Sequence, residues 1–449
     1  MRRLLAGSAI ATLIVTHALA NGTTAQPLSR FLESLGTGGN IYRGTPTRDS
    51  LVAYLGFKAF RDGLVKDATG VANAIALYQA TGAKTIIMAN AGPSYPTLAQ
   101  FIGFAEQLKA AGALLALEGP NEPGNFNLTY KGHTGGYGGA DWLPVAQFQA
   151  DLYAAVKADP LLAGIPVFAP SEVGAETGNY GLQVNQLAPG IGDPDKLAAA
   201  GFSPTQAFAD YANVHNYVCG VHPDPIPPNR AWLTASVTDN VAGIDGFYGN
   251  NIITWAKKYP GYTVAQGPTV PKVTTETGLQ TAETAAGGSV TEDAQGKLLM
   301  SLMLDQFKLG WDYTIQYQLY DTPGTTWGLF RADKTPKLGA TYFHNLTAIL
   351  ASSGPPPAIG QLPYGYLGTP PETVHDLLLQ REDGRLFLAV WDENPPGTGS
   401  DSVSIDLGKE FLSVSVYDPT IGVQPQSTFS DVRIVPLSLT DHAVILELN

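Results

Sequence analysis

A chain of 449 residues is longer than one ordinary domain and suits a large domain of about 250 residues or more with a smaller partner. Hydrophobic residues make up 44% of it, with 6 Trp, 20 Tyr and 17 Phe, which supplies an extensive core and excludes disorder throughout. The 39 acidic against 26 basic residues give a formal charge of -13, a balance that argues against nucleic acid or an anionic membrane as partner.

Arg2 and Arg3, an apolar run over residues 4–15, and then Ala18-Leu19-Ala20 have the order of a secretory leader with an Ala-x-Ala cleavage site. We therefore expect residues 1–20 to be a signal peptide and the mature chain to start at Asn21, which would move the charge from -13 to -15. The run is short for a bilayer span, and no later stretch reaches ~18 uninterrupted apolar residues, so a secreted or periplasmic protein is expected. Cys219 is the single cysteine, so no intrachain disulfide can form and packing must carry stability. The sequons at Asn21, Asn127 and Asn345 would matter only in a eukaryotic secretory pathway.

An extended segment with a Gly-rich end is predicted over residues 31–44, then a helix over 47–55 and a strand over 57–63. Helix 69–81 leads to the apolar strand 84–90, and helix 95–111 to the apolar run that starts at Leu114. A polar, Gly-rich loop follows over 125–141, then helix 142–159, strand 165–169 and strand 211–217. A helix over 240–258, strand 270–278, helix 291–309, strand 313–321 and helix 336–350 close the alternation. Eight apolar strands with intervening helices predict a (β/α)₈ barrel over residues 21–353 better than an open doubly wound sheet. After Ser353-Gly-Pro-Pro-Pro357 the texture changes to short alternating strands over 376–380, 386–392, 403–407 and 443–448, so residues 354–449 are predicted to form an antiparallel β-sandwich that braces the barrel.

The fourth strand ends in Glu118-Gly-Pro-Asn121-Glu122-Pro123. Pro123 lacks an N–H and disfavours helix in the residue before it, so Asn121 and Glu122 are expected to be extended at the strand exit. This stretch resembles the end of the fourth strand in clan A of the glycoside hydrolases, a superfamily of retaining (β/α)₈-barrel β-glycosidases. The resemblance implies that Glu122 is the general acid/base and that Glu276, ending the seventh strand in Thr275-Glu276-Thr277-Gly278, is the nucleophile. It covers residues 31–350 and does not choose a family within the clan.

Further positions agree with the resemblance. Arg61, ending the second strand, matches the clan's strand-two arginine, whose guanidinium would orient the nucleophile. Asn121 would donate to the sugar 2-hydroxyl, and His215 with Tyr217 matches the clan's His-x-Tyr pair on the sixth strand. Taken alone, His215 would read as a satisfied core histidine. Gln316, Gln318, Tyr320 and the loop Trp327-Gly-Leu-Phe330 fall on or after the eighth strand, where the clan commonly floors the sugar subsite with an aromatic. Trp327 is one candidate contact to sugar, with Tyr320 and Phe330 as alternatives, since clan members place this Trp on the strand itself. Rival carboxylates are Glu118, expected in a buried polar network, Glu172 after the fifth strand, Glu283 in a loop, and Asp321. Glu276 beside Arg61 is expected to be ionised, and Glu122, away from the arginine, to hold its proton.

No His/Cys/Asp cluster has zinc spacing, no Gly-rich phosphate loop carries a Lys, and no Gly-x-Ser-x-Gly elbow is present, so neither a metal nor a cofactor is expected. Gly135-Gly-Tyr-Gly-Gly139 lacks the strand-to-helix setting of a nucleotide site and reads as a cleft loop. The expected function is a secreted retaining β-glycoside hydrolase; the alternative is a non-catalytic carbohydrate-binding or scaffold protein on the same barrel. Both carboxylates together favour the enzyme.

Overall fold

The computed structural model describes residues 22–62, 65–136, 142–171, 194–217, 269–282 and 289–449. The leader, the helix expected over 240–258, Cys219, Glu172 and Glu283 lie outside them.

Eight parallel strands form one sheet: β1 Leu35–Gly39, β2 Ala59–Asp62, β3 Lys84–Met88, β4 Leu114–Glu118, β5 Val167–Phe168, β6 Ala212–His215, β7 Lys272–Thr277 and β8 Tyr313–Gln316. Their order is β6-β7-β8-β1-β2-β3-β4-β5, and a parallel bridge from Phe168 to Tyr211 closes β5 onto β6. This is the expected (β/α)₈ barrel. Helices α1 Leu28–Ser34, α2 Thr45–Leu55, α3 Ala68–Thr81, α4 Leu98–Ala110, α5 Leu143–Ala158, α6 Pro194–Ala199, α7 Glu292–Lys308 and α8 Leu338–Ile349 are described around it. None of the described helices is long and apolar enough to cross a membrane.

One expectation fails at the start. Residues 31–34 are helical rather than extended, because Leu28, Phe31 and Leu32 recur at helical spacing and all three are buried, Phe31 edge-on to Phe307 of α7 at 5.4 Å.

Inside the barrel, Ala59, Ile86, Ala116, Phe168, Val273 and Ile315 form a separate apolar cluster. Successive side chains on a strand point to opposite faces, so the residues two positions further on face the same lumen one layer higher. Those residues include Arg61, Met88, Glu118 and Thr275, and the layer turns from apolar to polar at the C-terminal mouth.

Beyond the barrel, β9 Val374–Gln380, β10 Leu386–Asp392, β11 Asp401–Tyr417, β12 Pro425–Leu439 and β13 Ala443–Leu448 build the antiparallel β-sandwich region, with order β11-β13-β10-β9 and β12 on β11. One side of this sheet, with Leu377, Leu379, Phe387, Ala389, Trp391 and Ile445, belongs to the same apolar cluster as the barrel helices. The other side, with Leu378, Leu388, Val390, Ile405, Val414 and Leu446, forms its own core. Alternation along each strand thus covers both faces. The chain also enters through this region: Thr23 and Thr24 pair with Leu362 and Gln361, and Gln26 and Pro27 with Leu379 and Gln380.

Candidate active site

Arg61 follows Ala59 by two positions on β2, so its side chain rises from the apolar layer into the mouth, where it is 6% exposed. Its Nε and Nη2 donate to the two oxygens of Glu118 at 2.8 Å each, Nη2 also donates to Asn121 Oδ1 at 2.6 Å, and Nη1 donates to Glu276 Oε1. Burial opposes this charge, yet Glu118 and Glu276 outweigh it and hold the guanidinium proton well above its usual affinity. Asn121 spends its carbonyl oxygen on Arg61, which turns its Nδ2 donor outward. Glu118, the last residue of β4, is fully buried in the polar network the sequence predicted for it.

Glu276 reaches the lumen through a bulge. On β7, Val273 and Thr274 pair with Tyr313 and Thr314, but Thr277 pairs with Gln316, so β7 carries one extra residue against β8. The bulge reorients the strand end. Thr274 Oγ1, with one proton to share, lies 2.8 Å from Val214 O and 2.9 Å from Glu276 O and secures it.

Glu122 departs from the extended conformation expected for it and has φ 41°, in the left-handed region. Its N–H donates to Ser171 O at 2.7 Å, and its carbonyl accepts from the N–H groups of Asn125 and Phe126 at 2.8 Å each. These bonds hold a conformation that costs on the order of 1–3 kcal/mol. Pro123 does exclude helix at Glu122, but the turn closed by Asn125 and Phe126 selects the left-handed alternative.

His215 and Tyr217 each attend one carboxylate. His215 Nδ1 lies 2.6 Å from Glu122 Oε1 and 3.5 Å from Glu276 Oε2, and its Nε2 lies 3.2 Å from Thr275 Oγ1. Tyr217 Oη donates to Glu276 Oε2 at 3.0 Å, and Asn125 Nδ2 donates to Glu122 Oε2 at 2.9 Å. Burial beside two carboxylates pushes the Tyr217 hydroxyl well above its ordinary value, so it acts as a donor. Burial also pushes the Glu122 carboxyl up, but the hydrogen bond and charge of His215, the Asn125 amide and Arg61 prevail and hold it below the ordinary value. The sequence placed Glu122 away from a cation; His215 stands 2.6 Å from it, a contact no spacing revealed.

Glu122, His215 and Glu276 offer donor atoms within 4.8 Å of one another, the single group of three or more metal-capable side chains among the described residues. A metal fits them poorly, since Arg61 and Tyr217 already occupy both oxygens of Glu276. Asp321 is tied down elsewhere: Lys337 Nζ at 2.9 Å and Gly328 N at 2.8 Å donate to its Oδ1. Beside Arg61 and Glu276 opens a cavity of about 650 Å³, lined among others by Tyr42, Arg43, Asn121, Tyr317 and Gln318. Trp327 does not line it; it packs edge-on to Tyr217 at 5.2 Å and Tyr317 at 6.3 Å. Half-buried Tyr317 lines that wall with Tyr42 and Tyr320; it lies two positions beyond Ile315, and period-two counting along β8 would have found it. Asn125 and Thr275 carried no sequence signal.

No protein-family model and no curated sequence matches the chain. Among solved structures, its fold is similar to a glycoside hydrolase family 30 subfamily 8 xylanase from Clostridium acetobutylicum, at TM-score 0.53 and 12% identity over 96% of this chain and 97% of that one. It is likewise similar to a family 51 arabinofuranosidase from Xanthomonas axonopodis pv. citri, at 0.52 and 13% over 95% and 97%. A bacterial orthologue of human α-L-iduronidase gives 0.56 and 11% over 95% and 82%. The chain thus has the barrel-plus-sandwich fold found in these glycoside hydrolases.

Proposed function

We propose that the protein is a retaining β-glycoside hydrolase that cleaves a carbohydrate chain or glycoside by double displacement. The observation that carries this reading is that Glu122 and Glu276 face each other with oxygens within 4.8 Å. That spacing suits the separation of about 5–5.5 Å in retaining enzymes, rather than the roughly 6.5–9.5 Å that leaves room for an attacking water.

On this reading Glu276, oriented by Arg61 and Tyr217, attacks the anomeric carbon while the proton held at Glu122 and His215 passes to the leaving oxygen. Asn121 Nδ2 donates to the sugar 2-hydroxyl. Glu122 then takes a proton from water, the resulting hydroxide attacks the anomeric carbon, and Glu276 departs with net retention. Arg61 supplies the positive charge beside the nucleophile, so EDTA dialysis should leave turnover unchanged. The leader-like residues 1–20 support export, so the substrate is carbohydrate met outside the cytoplasm.

A 2-fluoro glycoside that accumulates the glycosyl-enzyme should label Glu276. Azide should rescue Glu276→Ala to give an inverted product and Glu122→Ala to give a retained one. A label on Asp321 or Glu172, or inversion by the wild type, overturns the assignment. Binding without hydrolysis across a glycan panel would make the protein a non-catalytic carbohydrate binder.

A further inference from the structure

Thr275 Oγ1 sits among three polar atoms: Glu118 Oε1 and Asn213 Oδ1, each at 3.0 Å, and His215 Nε2 at 3.2 Å. A hydroxyl has one proton. Glu118, bonded through both oxygens to Arg61, can only accept, and Asn213 presents its carbonyl oxygen because its Nδ2 donates to Ala169 O at 3.2 Å. The Thr275 proton must therefore go to Glu118 or Asn213, and the contact with His215 is satisfied only if Nε2 carries the proton and donates to Thr275.

We infer that Thr275, anchored by Glu118, is a positioning residue that fixes His215 with its Nε2 protonated, so that Glu122 and His215 hold the catalytic proton jointly between Oε1 and Nδ1. The inference rests on Glu122 being the acid/base and specifies how its proton is kept. With Nε2 occupied, Nδ1 of a neutral ring is an acceptor, and the 2.6 Å gap to Glu122 Oε1 closes only around one shared proton. In glycosylation that proton goes to the leaving oxygen, leaving carboxylate and neutral imidazole. In deglycosylation the attacking water returns it. The groups facing this pair are Glu276 and Thr275 from β7, Glu118 from β4, Arg61 from β2, Asn213 and Tyr217 from β6 and its exit, Asn125 beside Glu122, and Tyr317 beyond β8. Removing the Thr275 hydroxyl changes none of these charges, which isolates its effect.

Thr275→Val removes the acceptor at Nε2 and lets the ring adopt the other tautomer, donating from Nδ1 to an ionised Glu122. The alkaline limb of kcat/KM should then fall by about one to two pH units, as expected for loss of one hydrogen bond at a charged pair, with little change in KM. Thr275→Ser should restore the wild-type limb. On the resting protein, ¹⁵N-histidine NMR above that limb should show His215 as the Nε2–H tautomer in wild type and Thr275→Ser, and as Nδ1–H in Thr275→Val. Nδ1–H in wild type overturns the inference, as does an unchanged limb and tautomer in Thr275→Val. Because the NMR readout needs no turnover, the tautomer stands or falls separately from the glycosidase reading, including if Thr275→Val fails to fold.

Discussion

Arg61 joins three segments that are far apart in sequence, holding Glu118, Asn121 and Glu276 through one planar fork. A lysine would keep the charge but could not donate along three fixed directions. Arg61→Lys should therefore lower kcat by about 100-fold, the scale of a small misplacement of a reacting group, while KM changes much less. Steady-state kinetics on an aryl glycoside, with a thermal scan to confirm folding, checks this. Unchanged turnover would remove Arg61 from the site.

The barrel strands do more than display these side chains, since their irregularities aim them. The extra residue in β7 brings Glu276 to the lumen, and the left-handed turn after β4 brings Glu122 opposite it. Both strand ends rest on a tightly filled apolar layer. Gly36 of β1 belongs to that layer, and a Cβ there would lie 2.3 Å from Ile315 Cδ1 and 2.8 Å from Ala59 O. The Ile315 side chain can turn aside, but the Ala59 carbonyl belongs to the neighbouring strand. Gly36→Ala should cost about 1–3 kcal/mol by overpacking. Its urea midpoint should fall with an unchanged slope, and an unaltered midpoint would mean that β1 and β8 separate easily.

At the scale of the molecule, the sandwich region and the barrel share one apolar cluster and a polar latch. Lys297 of α7 pairs with Asp441 at 3.1 Å, His442 pairs with Asp418 and Asp441 at 3.0 Å each, and Asn345 of α8 donates to Pro419 O at 2.8 Å. Truncation at Ser353 would uncover Leu377, Phe387 and Trp391 partners on the barrel, so the truncated chain should lose solubility and bind a hydrophobic dye. A soluble, equally stable truncated barrel would contradict this packing.

The latch also predicts a pH dependence. Burial pulls the His442 ring down, but Asp418 and Asp441 outweigh it and raise it from 6.5 to about 9. A folded-state value above the unfolded one gives stability that is complete below 6.5 and is lost as pH rises through about 9. The loss should amount to up to about 3 kcal/mol. Unfolding at pH 6 and pH 10 should show this drop in wild type and a smaller one in His442→Gln; equal drops would place the titration elsewhere.

The sequence by itself determined the barrel, the change of texture after Ser353, and which residues end which strands. These follow from local causes: apolar runs of strand length, helical spacing between them, and Pro and Gly at the turns. It also placed Arg61, Glu122 and Glu276 at strand ends, and the resemblance to clan A singled them out from the other carboxylates and cations there. Tertiary structure alone decided that His215 serves Glu122, that Thr275 sits between His215 and Glu118, and that Trp327 packs edge-on against tyrosines rather than lining the cavity. Those relations join residues up to 157 positions apart, as in the bond from Thr275 to Glu118. They depend on strand register and a single-residue bulge, and one residue of register carries a side chain to the opposite face of the sheet.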